Sequence, residues 1–291
     1  MVVTMSWLNI KNEKTKDGFI RRFKKAVIIM RCFLSGDKEK IGIGKTLLHI
    51  RGLVMYPYDY MSKYDQDKVE VMWDEDDHPY VIHSGKRLYL QKGWTKEKCS
   101  RYYNNLRIEQ DKECTHKYLT EGDRYPDKDD IVADLGAAEG IFALDVIECI
   151  KKLFLFEGDE AWIIPLTKTF EPWKDKVVIV KKYVSDIELG DQVSLDDYFK
   201  DEKVTYIKAD IEGSEEKMLQ GASRLLDQDI KKALICTYHK EDDEVKLKEI
   251  MKENGFDVSI NPGYLVMTNV DDIFRGRYLR RGVMFAQKDK E

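Results

Sequence analysis

The chain has 291 residues, enough for one main domain with a smaller attached region and short for two full enzyme domains. Hydrophobic residues make up 43%, charged residues 35%, and the mean hydropathy is −0.52, a balance that fits a globular chain with a hydrated surface. A net charge of −5 argues against a dedicated nucleic-acid binder, and the five scattered cysteines, with no Cys-x-x-Cys pair, imply neither a disulfide framework nor a zinc site.

From Thr15 to Leu34 the apolar residues Phe19, Ile20, Phe23, Val27, Ile28 and Met30 fall at helical spacing, with Arg21, Arg22, Lys24 and Lys25 on the other side. Such a helix can rest on a membrane surface, but docking on its own domain is commoner and is the reading expected here. The apolar run from Ala26 to Leu34 is broken by Arg31 and falls far short of the roughly 20 residues needed to cross a bilayer. It follows a charged stretch, so no signal peptide or transmembrane segment is expected and a cytoplasmic location is.

Next, Gly44-Lys45-Thr46 invites a nucleotide-binding reading. A phosphate-cradling loop requires a glycine five residues earlier, and Glu39 stands there. Val69–Trp73, Tyr80–Ile82 and Arg87–Leu90 predict a small hairpin unit, and Thr95–Lys112 predicts a helix. Residues 1–120 thus form a helical and hairpin region, expected to decide the acceptor, ahead of a cofactor-binding domain over 121–291.

From Asp127 onward, short apolar runs alternate with amphipathic stretches. Strands are predicted over Ile131–Leu135, Leu153–Phe156, Val177–Val184, Val204–Ala209, Ala233–Thr237, Phe256–Ile260 and Val283–Gln287. Helices are predicted over Ile141–Lys151, Ala161–Phe170, Ser214–Leu226 and Glu241–Asn254. The pattern is α/β, with a mostly parallel sheet and helices on both faces, and ligands in such sheets lie beyond the carboxyl ends of the strands.

The first of these strands runs into Asp134-Leu135-Gly136-Ala137-Ala138-Glu139-Gly140. Small residues at Gly136, Ala137 and Ala138 admit a ligand close to the backbone, and Gly140 lets the helix start against the strand. Asp134 and Glu139 place carboxylates where a dinucleotide would need room for its diphosphate. They suit a ligand that carries an ammonium and a sulfonium. Glu157, 21 residues beyond Gly136, ends the second strand and can accept both ribose hydroxyls, and Asp186 at the end of the third can meet an adenine amino group.

The fourth strand ends in Lys208-Ala209-Asp210-Ile211-Glu212-Gly213-Ser214-Glu215. Alternation places Lys208, Asp210 and Glu212 on one strand face, with Ser214 or Glu215 capping the next helix. A surface salt bridge and a capping turn are the plainer reading. His239, after the fifth strand, has a pKa suited to deprotonating a hydroxyl, or is an ordinary hydrogen-bonded histidine. The Asn/Asp-Pro-Pro-aromatic sequence of amino-directed enzymes and the Pro-Cys of cytosine-directed ones are missing, which turns the expectation to oxygen.

These residues resemble the FkbM-type methyltransferases over roughly Glu109 to Gln287. The resemblance rests on Asp134 to Gly140, Phe156-Glu157, Ser194-Leu195-Asp196-Asp197, Lys208 to Glu215 with Leu219-Gln220-Gly221-Ala222, and Tyr238-His239. It implies a class I methyltransferase, Rossmann-like seven-stranded sheet and S-adenosylmethionine-dependent O-methylation of sugars, polyketides or related hydroxylated metabolites. It also implies that Glu109 to Asp111 and His116 to Tyr118 belong to a segment folding over the cofactor, which makes Glu109 a further cofactor contact. Gly158 stands where the family often has proline, and Thr237 where many members have glutamate. No metal is expected, although a variant of the reading places a divalent ion between Asp210 and Asp242 or Asp243. The competing readings are a non-catalytic scaffold that keeps the fold and, more remotely, a nicotinamide oxidoreductase.

Overall fold

The structure, a computed structural model, describes residues 16–120, 122 and 124–288. It begins with helices α1 (Lys16–Leu34) and α2 (Lys38–His49), a meander of β1 (Met72–Trp73), β2 (Pro79–His83) and β3 (Lys86–Tyr89), and helix α3 (Lys96–Glu109). The alternating part opens with β4 (Ile131–Leu135), α4 (Ile141–Val146), β5 (Lys152–Phe156), α5 (Glu160–Phe170) and β6 (Val177–Val180). It continues through β7 (Tyr183–Val184), β8 (Gln192–Val193), α6 (Leu195–Tyr198), β9 (Tyr206–Ala209), α7 (Glu215–Gln220), α8 (Ser223–Gln228), β10 (Lys232–Cys236), α9 (Asp243–Glu253) and β11 (Asp257–Ile260). The short β12 (Leu265–Val266), α10 (Val270–Arg275) and β13 (Leu279–Arg280) precede β14 (Val283–Gln287).

Seven strands form one sheet in the order β11-β14-β10-β9-β4-β5-β6, parallel except for β14, which runs antiparallel to both its neighbours. This is the class I methyltransferase sheet that the alternation and the resemblance imply. Its central strands are buried along their length, which is why they read as unbroken apolar runs. Chain order reverses between β4 and β9, and an open parallel sheet holds its ligands at such a point.

Three elements differ from expectation. The strand predicted over 177–184 stops at Val180, and β7 leaves the sheet to pair with β8. The helix predicted over 214–226 breaks at Gly221, where a Cβ would lie 2.4 Å from the Ser185 carbonyl oxygen. Asp196 restarts it as α8 by accepting from the backbone N–H groups of Arg224 and Leu225. The helix predicted to reach Lys151 ends at Val146 and tightens into a 3-10 turn over Ile147–Cys149.

The described chain divides into two compact units, residues 1–62 with 263–280, and 63–262 with 281–291. The division expected at residue 120 falls elsewhere because the meander and α3 are tied to the helices of the large sheet. His83 Nε2 lies 2.8 Å from Asp145 Oδ1, Tyr89 N donates to Thr169 Oγ1, and Tyr102 Oη donates to Glu139 Oε2. In the smaller unit, Ile28, Cys32, Ile43, Leu47, Val266, Ile273 and Tyr278 form the core. Helix α1 docks on its own unit through Ile28 and Cys32 with Val27 and Ile29 alongside, but of the apolar stripe read from the sequence Phe19, Ile20, Phe23 and Met30 are exposed. Gly44-Lys45-Thr46 lies inside α2, which Asp37 caps, and forms no phosphate loop. Among the described residues no helix is long and apolar enough to cross a membrane.

Candidate active site

At the switch point, Asp134 of β4 and Lys208 of β9 are paired in register, and their side chains meet at 2.9 Å between Oδ1 and Nζ. Lys208 Nζ also donates to the Gly136 carbonyl at 3.0 Å and lies 5.0 Å from the centre of the Tyr118 ring. Burial alone would favour the neutral amine, but the charges of Asp134 and Asp210 outweigh it and raise its pKa. Lys208 therefore braces the turn after β4.

That turn is tightly folded. Gly136 N and Ala137 N both donate to the Phe156 carbonyl, and Gly140 N donates to the Ala137 carbonyl. Gly136, at φ +73°, passes so close to the end of β9 that a Cβ there would lie 2.0 Å from the Asp210 carbonyl oxygen. Its glycine is thus required by the sheet itself, and only indirectly by a ligand. Ala138 sits in the left-handed region at φ 46°, unusual for a residue with a Cβ. Glu157 holds it there: Oε2 accepts from Ala138 N at 2.8 Å and Oε1 from Asp159 N at 2.7 Å.

Glu139, Glu157 and Glu109 all lie close enough to Tyr102 to raise its phenol pKa, after the larger effect of burial. Tyr102 donates to Glu139 Oε2 at 2.5 Å. Burial pushes the carboxyl pKa of both Glu139 and Glu157 upward despite their hydrogen bonds. The structure therefore brings Glu139 and Glu157 together at the first turn, with Gly136, Ala137 and Gly140 shaping the backbone between them, while Glu109 ends α3 near enough to Tyr102 for its charge to be felt. Asp134 lies beneath the turn, committed to Lys208. Asp186 is exposed on the loop after β7, where Ser185 Oγ donates to it at 2.9 Å and lowers its pKa.

A second cluster forms at the ends of β9 and β10. Asp210 Oδ1 lies 3.2 Å from His239 Nε2 and accepts from Tyr238 Oη at 3.3 Å. Its Oδ2 accepts from Tyr118 Oη at 2.6 Å and lies 3.5 Å from His116 Nε2. The other nitrogen of His239, Nδ1, is 2.9 Å from Oε1 of the fully buried Glu215, which also accepts from Ile211 N. Burial works against the imidazolium, but hydrogen bonds to Asp210 and Glu215 win and raise the His239 pKa well above its ordinary value. Burial would likewise raise Asp210, yet His116 and His239 pull it well below the usual carboxylate range. Glu212 is 66% exposed at φ 54°, its Oε2 3.8 Å from His239 Nε2, and partial burial raises its pKa.

Thus Asp210, Glu212 and His239 do meet, joined by His116, Tyr118, Tyr238 and Glu215, which are absent from the expected catalytic set. Two groups in this cluster bring ligand atoms within 4.8 Å of one another, Asp210 with Glu215 and His239, and Asp210 with His116 and Cys236. Either has the donors for a divalent ion once an imidazole is neutral. Asp242 and Asp243 are engaged elsewhere, with Lys246 and with the Lys240 N–H.

Comparison with curated proteins gives no match. Among solved structures, the methyltransferase FkbM of Methylobacillus flagellatus KT is 18% identical, with a TM-score of 0.46, over 66% of this chain and 51% of its own. This chain thus spans about half the length of that protein. The precorrin-6y C5,15-methyltransferase of Geobacter metallireducens GS-15 is 12% identical at a TM-score of 0.40, over 56% of this chain and 82% of its own. An rRNA methylase of Streptococcus thermophilus is 15% identical at a TM-score of 0.40, over 56% and 89%. A family model, the methyltransferase FkbM domain, matches residues 91–258, more than half of the sequence and both clusters described above, and the chain belongs to that family.

Proposed function

We propose that the chain binds S-adenosylmethionine at the turn after β4 and methylates a hydroxyl of a sugar, glycan or related metabolite. The observation that carries this reading is the pairing, across one sheet switch point, of an acidic turn with a buried carboxylate–imidazole–carboxylate chain. Glu139 and Glu157 are carboxylates whose burial favours a proton, so a ligand with net positive charge stabilises their ionised forms. When bound, the cofactor supplies an activated methyl on a sulfonium. Glu157 receives the ribose hydroxyls, Glu139 and Glu109 face the ammonium side, Gly136, Ala137 and Gly140 shape the backbone cradle, and Asp186 reaches the adenine. Asp134 and Lys208 position the turn.

A neutral amine can accept a methyl first and lose its proton afterwards, whereas a hydroxyl needs a proton sink as its oxygen attacks. His239 lies between the carboxylates of Asp210 and Glu215, which favour its charged form, so it positions and does not abstract. Glu212, exposed beside it with a raised pKa, takes the acceptor's hydroxyl proton as the oxygen gains the methyl. Asp210 and Glu215 hold His239, and the imidazolium draws Glu212 toward the acceptor.

Titration calorimetry tests the first half: the intact protein binds S-adenosylhomocysteine, and Glu157→Ala loses that binding. No binding by the intact protein removes the reading. Incubation with methyl-labelled cofactor and a panel of saccharides tests the second half. Glu212→Gln is expected to keep S-adenosylhomocysteine affinity and lose label transfer, and undiminished transfer would take the base role from Glu212.

A further inference from the structure

We propose that the outward face of α1 is a docking surface for an anionic lipid bilayer. Phe19, Phe23, Ala26, Met30 and Phe33 recur at the spacing of one helix face, and Leu34 closes its end; all six are exposed. Phe19 is 74%, Phe23 51% and Leu34 77% exposed. The helix thus carries a second apolar face beside the one that packs on its own unit. Part of its basic side points into its own unit, where Lys24, Lys25 and Arg31 donate to the carbonyls of Thr268, Ile50 and Ile273. Ile28 and Cys32 enter the core, with Val27 and Ile29 packed against it. Three lysine and arginine heads thus anchor the helix by hydrogen bonds, while Phe19, Met30, Phe33 and Leu34 are exposed.

Charge identifies the occupant. From Gly18 to Arg51 the exposed charged residues are Arg21, Arg22, Lys38, Lys45 and Arg51, and every one is basic. The acids of that stretch are occupied: Asp37 caps α2 and Glu39 accepts from Gly263 N. Residues 1–62 hold twelve Lys and Arg against five Asp and Glu, a net +7 in a chain whose total is −5. A row of phenylalanines bordered by cations matches the headgroup boundary of an anionic bilayer, where rings sink among acyl chains and guanidinium groups meet phosphates. A second copy of this face would bring like charges together, and a nucleic acid would leave Phe19, Phe23 and Leu34 wet.

The test is co-sedimentation of the full chain with vesicles of phosphatidylcholine alone and of phosphatidylcholine mixed with phosphatidylglycerol. Binding is expected to the mixed vesicles only and to weaken as salt is raised. The triple variant Phe19→Ser, Phe23→Ser, Met30→Ser should bind at least about tenfold more weakly, since each ring it removes withdraws apolar area from the bilayer. Because these side chains are exposed, the variant should melt as the parent does and keep its S-adenosylhomocysteine affinity, which separates this result from any failure of the methyl-transfer reading. A Met30→Trp variant should add emission that shifts to the blue with the mixed vesicles. Equal sedimentation of parent and triple variant, or binding to neutral vesicles alone, overturns the proposal. So does a dimer in light scattering, or binding to RNA, that the triple variant abolishes.

Discussion

The two strand ends that form the candidate site solve the problem of buried charge in opposite ways. At the end of β9 and β10, Asp210 and Glu215 are matched by His239, with His116 and two tyrosine hydroxyls completing the shell. At the end of β4 and β5, Glu139 and Glu157 have hydrogen bonds but no cation of their own, because the nearby Lys208 is bound to Asp134. One end supplies its counter-charges from within. The other holds buried carboxylates whose charge a proton, or a cation from outside, would neutralise. Each end also holds one non-glycine residue in the left-handed region, Ala138 and Glu212, a local strain of about 1–3 kcal/mol that packing sustains where function is concentrated.

The sharpest way to break this comparison is to remove the internal cation. His239→Ala leaves Asp210 and the buried Glu215 facing each other, and is expected to lower stability in urea unfolding by about 3–5 kcal/mol. A loss below about 1 kcal/mol would mean that the cluster is not self-neutralised. The pH dependence comes next. The His239 pKa lies above its ordinary 6.5, so its contribution is full below pH 6.5 and is lost as pH rises through the elevated value. Asp210 is depressed below 3.8, so its contribution is present above that value and is lost as acid reaches the depressed one. Stability should therefore plateau between these limits and fall in alkali, and His239→Gln should lose the alkaline fall.

The ligand end makes the opposite prediction. Since Glu139 and Glu157 are raised above 4.5, a cationic ligand must expel protons from them in mild acid. S-adenosylmethionine affinity should rise several-fold, roughly, from pH 5 to pH 7, and calorimetry in buffers of different ionisation enthalpy should detect proton release. Proton uptake would show that the turn is not waiting for positive charge. The smallest effect is expected for Tyr102→Phe, which deletes one hydrogen bond to Glu139 and should cost about 1–2 kcal/mol while moving the pH dependence of binding upward. No movement of that dependence would place Glu139 outside the cofactor contacts.

Much of the sheet was legible because fully buried strands leave unbroken apolar runs, and the acidic turn was legible because Glu157 stands at the spacing a strand end requires. The cluster at the ends of β9 and β10 was less so. Alternation puts Lys208, Asp210 and Glu212 on one face only while the strand continues, but β9 ends at Ala209 and Glu212 takes a left-handed turn. Lys208 is thereby separated from the other two. Glu215 reads as a helix cap, and it does accept from Ile211 N, but its hold on His239 comes from a strand 24 residues further along. Tyr118 reaches Asp210 across 92 residues, a contact with no periodic signature. For α1, periodicity gives no sign that Lys24, Lys25 and Arg31 reach inward to the carbonyls of Thr268, Ile50 and Ile273, because those partners lie elsewhere in the chain.

The near-contact of Gly136 with the Asp210 carbonyl makes the two half-sites share a wall one backbone thick. Any redesign of either half-site must respect that wall. Bulk added at position 136, or a residue inserted before Asp210, would pry the central strands apart and damage both halves at once. Selectivity is open to redesign through the side chains that rim the wall, while the wall itself is a fixed partition.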